Sequence, residues 1–472
     1  MTKGARYRLL AVVYGSQFLP LAFFLYGLTA VLRERGMALE RIALLQLLAL
    51  VWVAKFAWAP LVDRYGWRRL GHYRGWLLIV QALLVGAVLA LVPVDVVQDL
   101  PLVLGLVGAI AVLSATHDIA ADATAVRLLE PSERGVGNGI QKAGGYFGLM
   151  VGGGAMLIVY DRLGWVVALA VLAVLTALPL PILVGWRERE TIPAATLRPS
   201  GSFRALGSFF GQPGAARWVL VVLPLYYLGI ATAYSLVTPM LVDAGWPLDR
   251  IGAVSIIGGG TAAVLASLGS GALVTRLGRR AALVGFGLLQ VAAVIPLFPL
   301  AWGQGGTLLG LASVVLLNVA YASAGTAVYT ISMDWSRAGS AGSDFTVQDS
   351  LVHLCSQLAG AAALGLAGAL GYPGVLGLSV ILGSAGVAAA AWLFHQPSAP
   401  RHGSKQCRVR RDQPGYAGRI QAVQRSGVAD ASNLRACRSA GPDRPPSGGP
   451  GLLRSRRPEP GRDLLHQPPG SP

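Results

Sequence analysis

Apolar stretches long enough to cross a lipid bilayer recur along the first 394 residues of this chain. A membrane-spanning helix needs about 20 consecutive, mostly apolar residues. Only 13% of the residues are charged, whereas soluble domains carry about 25%. The sequence therefore predicts an all-α polytopic membrane protein. Twelve windows are candidate transmembrane helices: 9–32, 42–61, 76–94, 101–126, 136–158, 165–186, 217–241, 251–274, 281–300, 306–332, 346–370 and 372–394.

The distribution of positive charge predicts the orientation of these helices. The net charge is +17, of which residues 396–472 contribute +9. In the remainder, arginines concentrate in alternate loops, whereas the loops after residues 94, 300 and 370 contain no Lys or Arg. Loops rich in Lys and Arg stay in the cytoplasm, so both termini are expected there. The segment 396–472 is rich in Arg, Pro, Gly and Ser, and we expect it to be disordered rather than to bind nucleic acid.

An internal repeat divides the apolar part of the chain. The segment from Gln141 to Trp165 aligns with the segment from Gln348 to Tyr372 at a constant offset of 207 residues. A long loop also leaves six windows on each side, as inverted or parallel repeats in transporters do. The sequence thus predicts two pseudo-symmetric six-helix halves with a disordered tail. The predicted domains are 1–186, the inter-half loop 187–214, 215–395 and the tail 396–472.

Ionisable residues interrupt the apolar windows of the first half. Asp118 and Asp122 are four residues apart, so a helix places both carboxylates on one face. Lys55, Lys142 and Asp118 are expected at a similar depth, about 10 Å from the cytoplasmic helix ends at roughly 1.5 Å per residue. Charges at such a depth are costly and usually mark an ion or substrate path. Two interpretations remain open: a static network that joins three helices, or a protonation switch in which His117 and one aspartate change charge.

The second half supplies a different set of polar residues. Ser343 or Asp344 is suited to cap the eleventh helix, whereas Asp349 occupies the repeat position of Lys142. We therefore expect these opposite charges to meet across the halves. Aromatic and polar residues of the first, seventh and tenth windows are expected to line a cavity, with anchoring at the membrane interface as the alternative. The proton and substrate path is assigned to Tyr14, Gln17, Lys55, His117, Asp118, Asp122, Gln141, Lys142, Tyr226, Tyr227, Asn318, Tyr321, Gln348 and Asp349.

Two loops resemble the signature between the second and third helices of the major facilitator superfamily. The first contains Asp63-Arg64-Tyr65-Gly66, and the second contains Thr275-Arg276-Leu277-Gly278, with Thr in place of Asp. The resemblance implies a latch that closes the cytoplasmic side, since a carboxylate can pair with Arg or with the N-terminus of a facing helix. A cluster of arginines that only sets topology is the alternative. The latch residues are predicted to be Asp63, Arg64, Arg68, Arg69, Arg276, Arg279 and Arg280.

The fourth and fifth windows resemble one branch of this superfamily. The Asp118-x-x-x-Asp122 pattern, followed by Glu133-Arg134-Gly135 and a Gly-rich helix, is similar to muropeptide permeases and acetyl-CoA transporters. The run from Met333 to Asp349 most resembles siderophore permeases of the rhizobactin and pyochelin type. The resemblance implies a monomeric importer in the bacterial inner membrane, driven by the proton gradient and without a cofactor or a metal of its own. Its expected substrate is a ferric siderophore, with a muropeptide or another metabolite as the alternative; a membrane-embedded enzyme is disfavoured by the repeat and the latch loops.

Overall fold

Long apolar helices make up most of the structure. A computed structural model describes residues 1–38, 41–42, 45, 47–67, 69–192, 203–304 and 306–395. Within these ranges, nine helices are long and apolar enough to cross a membrane, and β-structure is limited to an isolated bridge between Trp67 and Gly71. With four shorter helices, the elements are α1 Lys3–Glu34, α2 Leu47–Ala57, α3 Ala59–Arg64, α4 Tyr73–Ala90, α5 Leu100–Leu128, α6 Arg134–Gly185, α7 Glu188–Thr191, α8 Phe203–Phe210, α9 Ala215–Asp243, α10 Arg250–Leu277, α11 Arg279–Ala301, α12 Thr307–Trp335 and α13 Ala338–Trp392.

Two of these helices each cover two of the apolar windows. α6 is interrupted at Gly164, with φ 80° and ψ 179°, and α13 is interrupted at Gly371, with φ 65° and ψ 167°. Glycine adopts positive φ without the steric cost that a Cβ imposes. These are the two glycines that the 207-residue offset pairs in the sequence. The break that ends one window and starts the next is therefore repeated at equivalent positions.

Some sequence predictions concern residues outside the described ranges. Arg68, which was assigned to the latch, is one of them, and the tail 396–472 is another. The described parts of the loop 187–214 contain α7 and α8. The domain boundaries remain predictions.

Glycines bring α6 of the first half against α10 of the second. A Cβ placed on Gly139 would lie 2.7 Å from the carbonyl oxygen of Ser267, and one on Gly271 would lie 2.6 Å from the carbonyl oxygen of Gly135. Small residues of this kind allow membrane helices to pack backbone against backbone. The predicted halves therefore meet at a close helix–helix contact.

Gly144→Ala is expected to lower the free energy of unfolding, whereas Gly145→Ala is not. A Cβ on Gly144 would lie 2.9 Å from the backbone nitrogen of Gly15 in α1, but one on Gly145 would lie 3.5 Å from the ring of Phe18, an ordinary contact. Overpacking typically costs about 1–3 kcal/mol. Thermal unfolding of the two purified variants measures the difference. Equal midpoints would contradict this close α1–α6 packing.

Candidate functional site

A buried lysine stands at the centre of the site. Lys55 lies in the 3₁₀ turn Lys55–Ala57 that ends α2, just before α3. Pro60, at the start of α3, lacks a backbone N–H and disfavours a continuous helix here. The fully buried ammonium group contacts the carboxylate of Asp118 and lies 2.5 Å from Oδ2 of Asp349. One cation of the first half therefore binds carboxylates from both halves.

Asp118 and Asp122 share one face of α5 but have different partners. Asp118 pairs with Lys55 and also accepts a hydrogen bond of 2.8 Å from Gln17 Nε2. Asp122 Oδ1 accepts hydrogen bonds from the Tyr14 hydroxyl at 2.8 Å and from Gln141 Nε2 at 2.7 Å. Its other oxygen, Oδ2, is buried and has no hydrogen-bond partner among the described residues. Asp118 is thus ion-paired, whereas neutral groups hold Asp122.

Asp349 gathers a second group of side chains in the other half. The hydroxyl of Tyr329 donates to Oδ1, and His353 Nε2 lies 3.7 Å from the same oxygen. The internal repeat had suggested an ion pair between Lys142 and Asp349, but the structure does not form it. The Nζ of Lys142 instead lies 3.3 Å from the centre of the Tyr329 ring. Lys55, and not Lys142, is the lysine that forms the ion pair with Asp349. Sequence reasoning missed His353 and Tyr329, although His353 follows Asp349 by four residues and so shares its helix face.

A cavity of about 310 Å³ adjoins the buried charges. Along α1 its wall runs from Gln17 to Tyr26, and along α6 from Gln141 to Leu149. Its wall contains aromatic, ionisable and amide side chains. The residues that were predicted from the sequence and line it are Gln17, Asp118, Gln141, Lys142, Tyr227, Tyr321 and Asp349. Tyr26, Trp52, Tyr146, Tyr329, His353 and Gln357 join them.

His117 lies outside the charge network. Its side chain is fully buried, and neither ring nitrogen has a hydrogen-bond partner among the residues that the structure describes. Successive residues of an α-helix point about 100° apart, so His117 and Asp118 face different neighbours. The expected coupling of His117 to the aspartates is therefore absent from this arrangement.

Three other sequence-predicted residues are occupied by structural bonds. Tyr226 donates to the Leu283 carbonyl at 2.7 Å. Asn318 donates to the Val314 carbonyl at 2.9 Å. Gln348 donates to the Ser332 and Asp344 carbonyls, at 3.1 Å and 2.9 Å, and accepts from Trp218 Nε1 at 2.8 Å. None of the three belongs to the described wall of the cavity. Their polar groups instead form hydrogen bonds within a helix or between helices.

A second polar cluster lies at one end of the helix bundle. We call this end of the bundle the latch face. It carries Asp63 at the end of α3 and the N-terminal turn of α13. Asp63 accepts hydrogen bonds from the backbone nitrogens of Gly342 and Ser343, at 2.9 Å and 2.7 Å, from Ser343 Oγ at 2.6 Å and from the Tyr73 hydroxyl at 2.6 Å. A Cβ on Gly342 would lie 2.7 Å from Asp63 Oδ1. The carboxylate of one half thus caps a helix N-terminus of the other.

Arginine pairs reinforce the latch face. Asp334 binds Arg134 of the first half at 2.9 Å and Arg279 of the second half at 2.8 Å. Arg337 forms a two-point pair with Asp344 at 2.7 Å and 2.8 Å, and these bonds raise the pKa of the guanidinium. Asp344 therefore binds Arg337, while Asp63 supplies the cap that the sequence assigned to Ser343 or Asp344.

The remaining predicted latch arginines lie elsewhere. Arg280 donates to the Ala391 carbonyl within the second half, and Arg64 lies beside the Tyr65 ring at 5.5 Å. Arg69 and Arg276 are exposed. Of the predicted arginines that the structure describes, Arg279 is the one that bridges the halves, since its Nη2 also donates to the Pro131 carbonyl at 2.6 Å. No group of three or more His, Cys, Asp or Glu in the described ranges is placed to hold a metal ion.

Comparisons with known proteins give a family match, a related permease and solved structures of similar fold. The family model described as Major Facilitator Superfamily matches residues 10–350. The anhydromuropeptide permease of Escherichia coli strain K12 is 34% identical over 284 residues, which cover 58% of this chain and 56% of that permease; the chain thus spans little more than half the length of this relative. Among solved structures, the human organic anion transporter MFSD10 has a TM-score of 0.63 at 16% identity, and the match covers 82% of this chain and 100% of that one. FucP in the outward conformation has a TM-score of 0.64 at 15% identity, and the match covers 83% of this chain and 99% of that one.

Proposed function

Because the chain belongs to the major facilitator superfamily, a family of transporters rather than enzymes, we propose that it is a permease for a muropeptide or a chemically similar metabolite. The observation that carries this proposal is the cavity with aromatic walls beside a charge network that joins the two halves. The 34% identity to a permease named for anhydromuropeptides supports this substrate class. Siderophore import, which was the first expectation from the sequence, finds no support in these relatives.

Twelve membrane crossings complete the proposal. The breaks at Gly164 and Gly371 divide α6 and α13 into two stretches each, and every stretch is long enough to cross a bilayer at about 20 residues. With the other seven long helices that the structure describes, these stretches make eleven crossings, and α2 together with α3 supplies the twelfth. The arginine-rich loops lie at the latch face, which we therefore assign to the cytoplasm together with both termini. We place the protein in the bacterial inner membrane, where a cell-wall fragment would enter the cytoplasm. That one chain suffices for transport remains a prediction.

Asp122 is the proposed proton carrier. Its carboxylate is fully buried, and its hydrogen bonds come from the uncharged groups of Tyr14 and Gln141. An ionised carboxylate without a cation is costly in such a place, and protonation removes the cost. Asp118 and Asp349 share Lys55, so losing either charge would free Lys55 from that partner. Of these contacts, the pair between Lys55 and Asp349 is the one that joins the halves, so a proton that passes from Asp122 to Asp349 would weaken it, as alternating access requires.

Closure at the latch face defines which side of the cavity must open. The bonds of Asp63, Arg134 and Arg279 hold the halves together there. The cavity extends from Gln17 toward Tyr26 along α1, away from the end where α1 begins. We infer that this arrangement is the one in which substrate enters from outside.

Uptake of labelled anhydromuropeptide by vesicles from a permease-deficient strain tests this function. The protein is expected to raise uptake at least tenfold when an inward proton gradient is imposed, and an uncoupler should remove the gain. Ferric siderophore is tested in parallel. Siderophore uptake without anhydromuropeptide uptake would refute the proposed substrate class.

Asp122→Asn is expected to separate transport from the proton gradient. Asparagine keeps a side-chain oxygen for the bonds of Tyr14 and Gln141, but it cannot take up a proton. Under an imposed gradient of about one pH unit, accumulation should fall by about tenfold, since one proton moving down that gradient supplies roughly 1.4 kcal/mol, a factor of ten; exchange between internal and external substrate should persist. The matched control is Asp243→Asn: this exposed carboxylate also accepts a tyrosine hydroxyl, that of Tyr372 at 2.6 Å, but it lies away from the network. Normal accumulation by Asp122→Asn would rule out this carrier.

A further inference from the structure

Lys142 lies beside the charge network but takes part in none of the ion pairs among the described residues. Its side chain lines the cavity, and its Nζ lies 3.3 Å from the centre of the Tyr329 ring. In the part of the chain that the structure describes, ion pairs within 4 Å involve Lys55 but not Lys142. Lys142 is half-buried, and a lysine that is partly removed from water needs compensation for its charge, of which the face of an aromatic ring supplies only part.

Two nearby carboxylates are already committed to other groups, and the third, that of Asp122, forms no ion pair with Lys142 within 4 Å. Asp118 pairs with Lys55 and accepts a bond from Gln17. Asp349 pairs with Lys55 and accepts the hydroxyl of Tyr329, the residue whose ring supports Lys142. The anion that would complete the pairing of Lys142 must therefore come from outside this network, and the cavity is the route by which it arrives.

Gly325 and several tyrosines surround the side chain of Lys142 and determine the position of its ammonium group. A Cβ on Gly325 would lie 3.1 Å from Cε of Lys142, so a glycine at this position leaves room for the lysine stem. Tyr146, one helical turn after Lys142, lines the same cavity, as do Tyr227 and Tyr321. A positive charge on an aromatic platform, next to further aromatic rings, suits a molecule that carries a carboxylate beside a sugar ring or an apolar group.

We propose that Lys142, supported by the Tyr329 ring, binds a carboxylate of the transported molecule. This subsite rests on the proposed transport function, because it treats the cavity as the substrate site. It assigns the substrate class as anionic and gives the two lysines different roles. Lys55 joins the halves, and Lys142 meets the substrate.

Binding to the purified full-length protein tests this subsite. The probes are anhydromuropeptide with free carboxylates and the same compound with its carboxylates methyl-esterified. The wild type is expected to bind the free acid about tenfold more tightly, as expected for a hydrogen bond between charged groups. Lys142→Gln should bind both forms at the level of the ester. Lys142→Arg should retain the preference, and Tyr329→Phe, which keeps the ring but not the hydroxyl, should retain it as well.

Each outcome decides for or against the subsite. A preference for the acid that survives in a folded Lys142→Gln variant would overturn it, and so would a wild type that binds acid and ester equally; in the latter case the proposed transport function stands. If the wild type binds neither form, the proposed substrate class fails, and thermal-shift measurements with sugar acids, short peptides and their methyl esters then decide. A preference for any acid that is lost in Lys142→Gln supports the subsite, and the absence of any such preference overturns it.

Discussion

Lys55→Met is expected to abolish uptake and to lower the free energy of unfolding by about 3–5 kcal/mol, the usual cost of removing one partner from a buried ion pair. The lysine is fully buried, and it contacts Asp118 and Asp349 from opposite halves. Without it, both carboxylates would lose their cation while remaining almost entirely buried. Methionine keeps most of the side-chain length, so the effect isolates the charge. Thermal unfolding and vesicle uptake measure the two losses.

Double variants show whether the charge network is the cause. Lys55→Met combined with Asp349→Asn should regain much of the lost stability, because the second change removes one of the stranded charges. Uptake should not recover, since the contact between the halves is still missing. If the effects of Lys55→Met and Asp349→Asn on unfolding simply add, the two residues do not interact as the structure shows.

Asp63→Asn is expected to shift the equilibrium toward a state with an open latch face by about 100-fold. Asp63 accepts hydrogen bonds from two backbone nitrogens, from Ser343 Oγ and from Tyr73. A hydrogen bond to a charged group is worth about 1.5–3 kcal/mol. Asparagine retains one oxygen acceptor but loses the charge. Its NH₂ group would face N–H and O–H groups that themselves donate to Asp63. A net loss of about 3 kcal/mol corresponds to the stated shift, and uptake should fall by more than tenfold.

Cysteine labelling reports this opening. Ser336, at the end of α12 on the latch face, is 7% exposed and bonds within its own helix. In a background without the native cysteines, Ser336→Cys should react slowly with a polar maleimide, and adding Asp63→Asn should accelerate the reaction. Ser343→Ala, which keeps the two backbone bonds to Asp63, should produce a smaller acceleration. Equal labelling rates with and without Asp63→Asn would contradict the latch.

Local signals in the sequence led to part of the site. The four-residue spacing of Asp118 and Asp122 was sufficient to place both on one face of α5, where the structure has them. The same spacing from Asp349 would have found His353. The partners of Lys142 and Asp349 were not accessible in this way, because an internal repeat identifies equivalent positions but not which of them meet. The match between Asp63 and Thr275 shows the same limit: Asp63 caps α13, whereas Thr275 bonds the Gly271 carbonyl of its own helix at 3.0 Å.

The sequence by itself determined the class of the protein and its repeated helices. A bilayer leaves backbone groups no partner outside a helix or a closed barrel, so each long apolar window had to become a helix, and Gly164 and Gly371 mark where two of them break. Only the tertiary structure decided that Lys55 rather than Lys142 pairs with Asp349 and that His117 stands apart from the aspartates. The reason is physical: ion pairing depends on distances of a few ångströms between helices, and those distances follow from packing that no single segment of the chain encodes.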